Sequence, residues 1–535
     1  MTLTKQFAHP KRQGTALLIS MIFIVVFSAL AVSMATMSGA NVQLASNQHK
    51  VNSSLSAAQS GIECGKYIAA TTILDKTGHN YITLTEADKV WSDLCQHLQN
   101  AALDGKTVSA SSRFFDSIGS GDQIITSHLN FGSATASFTI RFYRYDSEHH
   151  IIKLQSTGID GQVTRQIMLD MKVTKDSKVL NYAVASRGRM WLAGNTTIHG
   201  DIFSTWNRAE IAPFNMTSDS TVEGTINTVL TLQQIQNQDY QLETLDANDN
   251  PIFDENSNRV YSTQDQIQGY HEGIYYGQPS QNMPGMSITD YDTSVYRSMT
   301  TSIPTTTVKK TEYFPHKAGD YTQPSSSGSR QLSRYVYENQ TFTNALLPSN
   351  RNALFKNCRF EEVLYIDCAT NTSSYYNNVR FDNCTFNGTI ITNVPNQLKW
   401  QNNCLYFTGE ATFNNTSSIQ EATILAPHFN VNLGNTNPVQ NDNNVLTGAI
   451  VGGIVDVRGN AQIYGTIISM CDTTQWTSGY VTNIGATLND GGSETTELGD
   501  IGVISITPEE DKMLPSGIIT PIVIRPLQGT YSENF

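Results

Sequence analysis

The chain has 535 residues, a length suited to two to four domains. Only 15% are charged, against a usual share of ~25%. Lys plus Arg number 34 against 47 Asp plus Glu, a net of −13, which argues against a nucleic-acid binder with its basic surface. The seven cysteines, at positions 64, 95, 358, 368, 384, 404 and 471, never fall at CxxC spacing, which argues against a zinc ribbon or a thioredoxin-like site.

Residues 1–14, MTLTKQFAHPKRQG, carry Lys5, Lys11 and Arg12 and no acid. Residues 15–37 carry no charge, and as a helix they would span about 35 Å, enough for a hydrocarbon core of ~30 Å. The basic leader puts the N-terminus in the cytoplasm and everything after Met37 across the membrane. Three readings compete: a secretory signal cleaved near Ala29-Leu30-Ala31, a plain anchor, or a prepilin-type signal whose basic leader ends in Gly. Beyond the apolar run, Leu44, Val51, Leu55, Ala58 and Ile62 recur at helical spacing, with polar residues largely on other faces. The spacing predicts one helix continuing to about Ile68, which fits a pilin helix or an anchor with a helical stalk better than a secretory signal.

Gln13-Gly14 followed by TALLISMIFIVVFSALAVSMATMSGANVQLASNQHKVNSSLSAAQSGIECGKYI resembles the N-terminal segment of PilX-type minor type IV pilins and related pseudopilins. The resemblance covers residues 11–70. It implies cleavage after Gly14 by prepilin peptidase, leaving Thr15 as the new N-terminus. It also implies that Ile19, Phe23, Phe27, Leu30, Leu44, Val51, Leu55, Ala58 and Ile62 pack against other pilins or pseudopilins. Major pilins carry Glu at the fifth mature position, where this chain has Ile19. A carboxylate buried among apolar helices costs several kcal/mol unless paired. In the family it pairs with a neighbour's N-terminal amine, and variants lacking it are associated with the filament tip.

Residues 71–178 read as a small pilin-like α+β head. Ala87–Leu103 suits a helix, followed by strands at Ser133–Tyr145, Ile151–Thr157 and Val163–Val173, with a turn at Gly158–Gly161. Ser156 to Val173 resembles the last strands of minor-pilin domains. Cys64 and Cys95 are either a disulfide or two buried thiols.

The remainder suits a right-handed parallel β-helix, with first coils at 179–230, a polar insertion at 231–335, and the main coils and C-terminal strands at 336–535. GNxxIxGxI occurs at Gly194–Ile202 and again at Gly459–Ile467. FxNCxF occurs at Phe355–Phe360 and Phe381–Phe386, with Asn403–Phe407 as a degenerate third copy. Short strands with Gly or Asn corners recurring at this spacing bury their apolar residues only by stacking. Cys358, Cys384 and Cys404 are then expected above one another in the core. The insertion reads as surface wall, partly flexible. Within it, Asp246-Ala247-Asn248-Asp249-Asn250-Pro251 matches a cadherin calcium-linker motif, and Asp246, Asn248 and Asp249 are calcium candidates. The Asp254–Tyr261 stretch repeats the same pattern eight residues on, which a pair of Asx turns explains without a metal.

No catalytic constellation stands out. Glu361, Glu362, Asp367 and Asp382 are scattered, and GxSxG, HExxH and Walker loops are absent from the sequence. The expectation is a non-enzymatic minor pilin of a type IV pilus or type II secretion-type filament, without a cofactor. It would sit in the inner membrane, with its head periplasmic or extracellular, at the tip or in the initiating complex. Its partners would be other pilins, prepilin peptidase and the assembly platform. The alternative is a membrane-anchored or exported β-helix that binds or cleaves envelope polysaccharide, with a surface glycan as partner.

Overall fold

The computed structural model describes residues 13–100, 102–103, 106–107, 123–126, 128–131, 133–144, 150–279, 287–313, 331–369, 377–398, 402–414, 422–433, 444–471, 479–485, 501–508 and 514–534. The basic leader up to Arg12, His149 and the QPSSSGSR run at 323–330 lie outside them. The chain is mainly β, with one long N-terminal apolar helix, and divides into two compact units. The first comprises 1–73, 83–173 and 524–535; the second comprises 74–82 and 174–523.

In the first unit the helix runs Gln13–Thr71 without interruption. A second helix, Leu84–Asn100, begins three residues earlier than its apolar pattern predicts, because Thr83 and Glu86 close a reciprocal capping box. Strands Gln123–Ile125, Ser133–Arg144, Ile151–Asp160 and Val163–Lys175 form an antiparallel meander in chain order. Its turn is tighter than expected. Asp160 pairs with Val163 and Gly161 alone takes a positive φ of 63°, so Gly158 lies inside the strand. Among the sheet's members that the sequence did not suggest, Ser532–Asn534 pairs with Gln166–Met168. The C-terminus, expected with the 336–535 coils, thus completes this meander, and the 174–523 segment is inserted between neighbouring strands of the first unit.

The second unit is dominated by a large, mostly parallel sheet compatible with a β-helix. Its strands fall into three parallel ladders. In one, Tyr337, Phe355, Phe381 and Phe407 stand in register. In the next, Phe342, Phe360, Phe386 and Phe413 do the same. The third aligns Leu346, Tyr365, Ile391, Leu425, Val451, Ile468 and Ala185.

The repeated motifs mark the corners between ladders. Gly194 and Gly459 take φ of 66° and 69° at the first corner, and Asn339, Asn357 and Asn383 take 50–54° at the same place. Only Gly, and at some cost Asn, enters this left-handed region readily. The second Gly of GNxxIxGxI, Gly200 or Gly465, turns the next corner with φ near 155°. A Cβ on Gly465 would lie 2.0 Å from the Gly448 carbonyl of the adjacent coil. The motif is therefore a corner, a strand and a second corner.

Between the corners lies a double aromatic ladder. Phe355, Phe381 and Phe407 stack at 5.5 and 5.1 Å, Phe360, Phe386 and Phe413 at 5.1 and 4.7 Å, and the two columns meet edge to face. Cys358 and Cys384 occupy equivalent sites beside it, as expected. Cys404 does not. It registers with Asn378, and Ala411 takes the place above Cys384. The third copy is Phe407–Phe413, one residue longer, with Gly409 (φ 67°) absorbing the insertion against the Asn383 amide. The NC pair at 403–404 misleads because it stands in register with Asn377-Asn378, six residues ahead of the place that Asn383-Cys384 holds in its own coil.

The order of the coils departs from chain order. From the strand at 335–337 the stack runs forward to Tyr480–Ile484 and Ile501–Thr507. Beyond that point Arg189–Leu192 pairs with Tyr480–Ile484, and Thr196–Ile198 with Ile504–Ile506. Val184–Ser186 is held between Ile467–Ser469 and Ile202–Ser204, and so supplies the third strand of the coil that 480–507 begins. Phe214–Met216, Thr221–Thr228 and Tyr270–Tyr275 then continue the stack.

The 231–335 segment is not simply a polar wall. Ile235, Tyr240, Leu242 and Ile267 are buried in the same core as the coils and close the end beyond Tyr270–Tyr275. Residues 287–303 lie over the outer side of the third ladder, where Tyr291 and Tyr296 join Tyr365, Ile391, Leu425 and Val451 in a second apolar cluster. Lys309–Tyr313 pairs antiparallel with Gln331–Glu338 and covers the other end. Both terminal edges are thereby protected from pairing with another chain.

Candidate functional site

The long helix is the element with an evident task. From Gly14 to His49 every residue is exposed, and no Asp, Glu, Lys or Arg occurs in that stretch. At 1.5 Å per residue it is roughly 54 Å long. Twelve large apolar side chains between Leu17 and Val32 stand open, Ile19 at 53% and Phe23 at 57%. Left in water they would forfeit on the order of 20 kcal/mol of burial. The helix is apolar enough by length and composition to cross a membrane.

The last third of the same helix is seated on its own head. Ser54, Ala57, Ala58, Gly61, Ile62, Gly65 and Ile68 form a buried stripe at i, i+3, i+4 spacing. Small residues are required there. A Cβ on Gly61 would come 2.1 Å from Ser156 Oγ, and one on Gly65 2.5 Å from Leu154 Cδ1. From the strand side, a Cβ on Gly158 would lie 2.0 Å from Ser54 O and 2.5 Å from Ala58 N. Backbone meets backbone at this point.

This seat divides the residues expected to pack against other subunits. Ile19, Phe23, Phe27, Leu30 and Leu44 are exposed, and Val51 and Leu55 are half-buried. Ala58 and Ile62 are buried, at 0% and 3%, and face the head's sheet instead. Helical spacing identifies an apolar face without identifying what covers it. Gly14 begins the exposed part, and an added Cβ there meets nothing within 4 Å, so its lack of a side chain serves no packing within this chain.

The other predicted sites do not converge. Cys64 and Cys95 are half-buried and not joined in a disulfide among the described residues. Burial pushes the Cys64 thiol above its usual range. Asp246 Oδ1 accepts hydrogen bonds from the backbone N–H of Asn248 (2.8 Å) and Asn250 (2.9 Å), and Asp249 adopts φ 62°. Eight residues on, Asp254 Oδ1 accepts from Asn256 and Asn258 in the same way, with Ser257 at φ 64°. These are two copies of one Asx-type turn, and the backbone N–H bonds hold both carboxyls below their usual range.

The scattered carboxylates are engaged in the walls. Arg297 forms a two-pronged pair with Asp367, at 3.1 and 3.0 Å. Glu361 accepts from Arg359 and from Asn387 Nδ2, and Asn414 continues that ladder onto Asn387. The sequence reading missed the buried polar cluster in the cap, where Arg259 bonds Glu243 and His271 is enclosed beside both. Burial drives His271 down to about 3 and raises Glu243. Its members lie as far as 28 positions apart in an irregular segment, so no local spacing betrays it.

No family model matches the chain. No curated protein matches it. Among solved structures, the competence-associated pilin ComZ from Thermus thermophilus aligns over 77% of this chain and 87% of its own, at 11% identity and a TM-score of 0.27. At that score the similarity transfers neither fold nor function to this chain.

Proposed function

We propose that the protein is a minor-pilin-like structural subunit of a type IV pilus or type II secretion-type filament. The observation that carries this reading is a single uninterrupted helix whose first part is apolar, uncharged and wholly exposed and whose last part is locked into an α+β head. The exposed part waits in the inner membrane with its N-terminus cytoplasmic. It then exchanges lipid for the helices of other subunits as the filament is extruded, so apolar burial is kept throughout. The inserted second unit is a right-handed parallel β-helix carried outside the membrane as a passive load.

Ile19 in place of a carboxylate removes the charge that would pair with a neighbour's N-terminus, and this supports a place at the tip or in the initiating complex. The chain acts mechanically rather than as an enzyme. Its partners are other pilins, prepilin peptidase and the assembly platform.

Sequencing the N-terminus of the protein isolated from membranes tests the reading. A start at Thr15, abolished by Gly14→Ala, is expected; a start at Met1 or near Ala31 overturns it. Because an added methyl at Gly14 touches nothing in this chain, lost processing would not be a folding artefact. Ile19→Glu should redistribute the subunit along the filament shaft, and an unchanged tip location would refute the role given to that position.

A further inference from the structure

The apolar outer side of the third ladder is covered by residues 287–303, but at one place the cover leaves a cleft. It has a volume of about 490 Å³ and lies among Arg187, Tyr291, Pro395, His428, Phe429 and Met470. The size suits a small ligand, and the lining is divided almost evenly between polar and apolar surface, so it offers both apolar walls and hydrogen-bonding groups.

Two polar groups give it a chemical character. The Arg187 backbone N–H is fixed to Ser469 O, which sets where its side chain starts. Among the described residues its guanidinium makes one hydrogen bond, a long one of 3.4 Å to Met470 O, and meets no carboxylate. Three other arginines of this acidic chain are matched with acids: Arg144 with Asp88, Arg259 with Glu243, Arg297 with Asp367. A guanidinium that meets no acid among the described residues favours a carboxylate that it can grip with two parallel N–H bonds. His428 is half-buried and donates to the Pro395 carbonyl, and burial drives its pKa down to about 4. A neutral imidazole that donates through one nitrogen accepts through the other.

We propose that this cleft binds a small organic monoanion: a carboxylate gripped by Arg187, an apolar body against Tyr291 and Phe429, and a hydroxyl or N–H donated to His428. The site stands independently of the filament reading and lies within the second unit.

The test uses the full-length protein in detergent, titrated with 4-hydroxyphenylacetate, its amide and phenylacetate by ligand-observed NMR. The Arg187→Met protein in the same micelles subtracts partition into detergent. Saturable binding of 4-hydroxyphenylacetate in the millimolar range or tighter is expected, with the amide about tenfold weaker. Arg187→Met should erase the preference for carboxylate over amide. His428→Phe should keep that preference and lose the one for 4-hydroxyphenylacetate over phenylacetate. Near-ultraviolet circular dichroism identical to the parent establishes that each variant is folded. No saturable binding to the parent, equal binding of acid and amide, or an Arg187→Met protein that still discriminates overturns the proposal.

Discussion

Gly158→Ala should detach the long helix from its head. Gly158 lies within the strand Ile151–Asp160, directly under the helix. The added methyl carbon would sit 2.0 Å from Ser54 O and 2.5 Å from Ala58 N. Both are backbone atoms of a regular helix, so no side-chain rotation relieves the clash. Contacts below 3.0 Å are essentially never made, so helix and strand must part by about 1 Å, which also loosens the fits at Gly61 and Gly65. Overpacking costs typically 1–3 kcal/mol, and a backbone obstacle belongs at the upper end, about 3 kcal/mol. Because the chain has two compact units, a whole-protein melting curve would blur this local change. Hydrogen exchange followed by mass spectrometry resolves it. Residues 54–72 should exchange roughly a hundredfold faster than in the parent, since each 1.4 kcal/mol is a factor of ten. Gly39→Ala is the control, because its new methyl meets nothing within 4 Å and a helix interior gains about 1 kcal/mol from Ala over Gly. Unchanged protection of 54–72 in Gly158→Ala would refute the close backbone seat.

Three further outcomes concern the second unit. Phe381→Ala removes a ring buried to 1% and stacked on both neighbours, and should lower its stability by about 4 kcal/mol in denaturant unfolding; a loss below 1 kcal/mol would deny the aromatic ladder its role. Asn357→Val, at φ 50°, should cost about 1–2 kcal/mol while Asn357→Gly is nearly neutral, and equal effects in the same unfolding assay would show that the corner conformation is not the constraint. The pH dependence follows from His428, whose folded value is depressed from 6.5 to about 4. The unfolded chain binds the proton first, so stability is full above about pH 6.5 and declines as pH falls toward 4, by at most about 3 kcal/mol. The parent's unfolding midpoint should drop over that window more than that of His428→Phe, and parallel curves would disprove the assignment.

Much of the local architecture is legible in the sequence because it is repeated or periodic. The absence of charge from Gln13 to His49 announces the helix, and GNxxIxGxI announces corners because left-handed backbone demands Gly or Asn. The alternation in Ser133–Arg144 and Val163–Lys175 announces the meander. Pairing across long distances is what escapes. Nothing in Ser532–Asn534 marks it as a partner of Gln166–Met168, and nothing in Val184–Ser186 marks it as a neighbour of Ile467–Ser469. The slip at Cys404 has a local cause: an Asn-Cys pair recurs at the place of Asn377-Asn378, while Ala411 stands where the motif's Cys would fall. The candidate helix was half legible. Its apolar faces can be read, but whether Ala58 and Ile62 meet lipid, another subunit or their own sheet depends on a meander found a hundred residues further on.

The way the stack is closed bears on how it can be made. Arg187 and Met470 touch across 283 positions of chain. Synthesis from the N-terminus therefore produces Val184–Ser186 and Arg189–Leu192 long before their partners exist. Until Ile467 and the residues after it emerge, one flank of those early segments presents bare amide and carbonyl groups, the kind of template on which nascent polypeptides stick together. Completion waits for the tail, and contacts so distant along the chain make it slow. A message cut short before Tyr480 would leave those flanks bare and yield a sticky fragment rather than a shorter but sound stack.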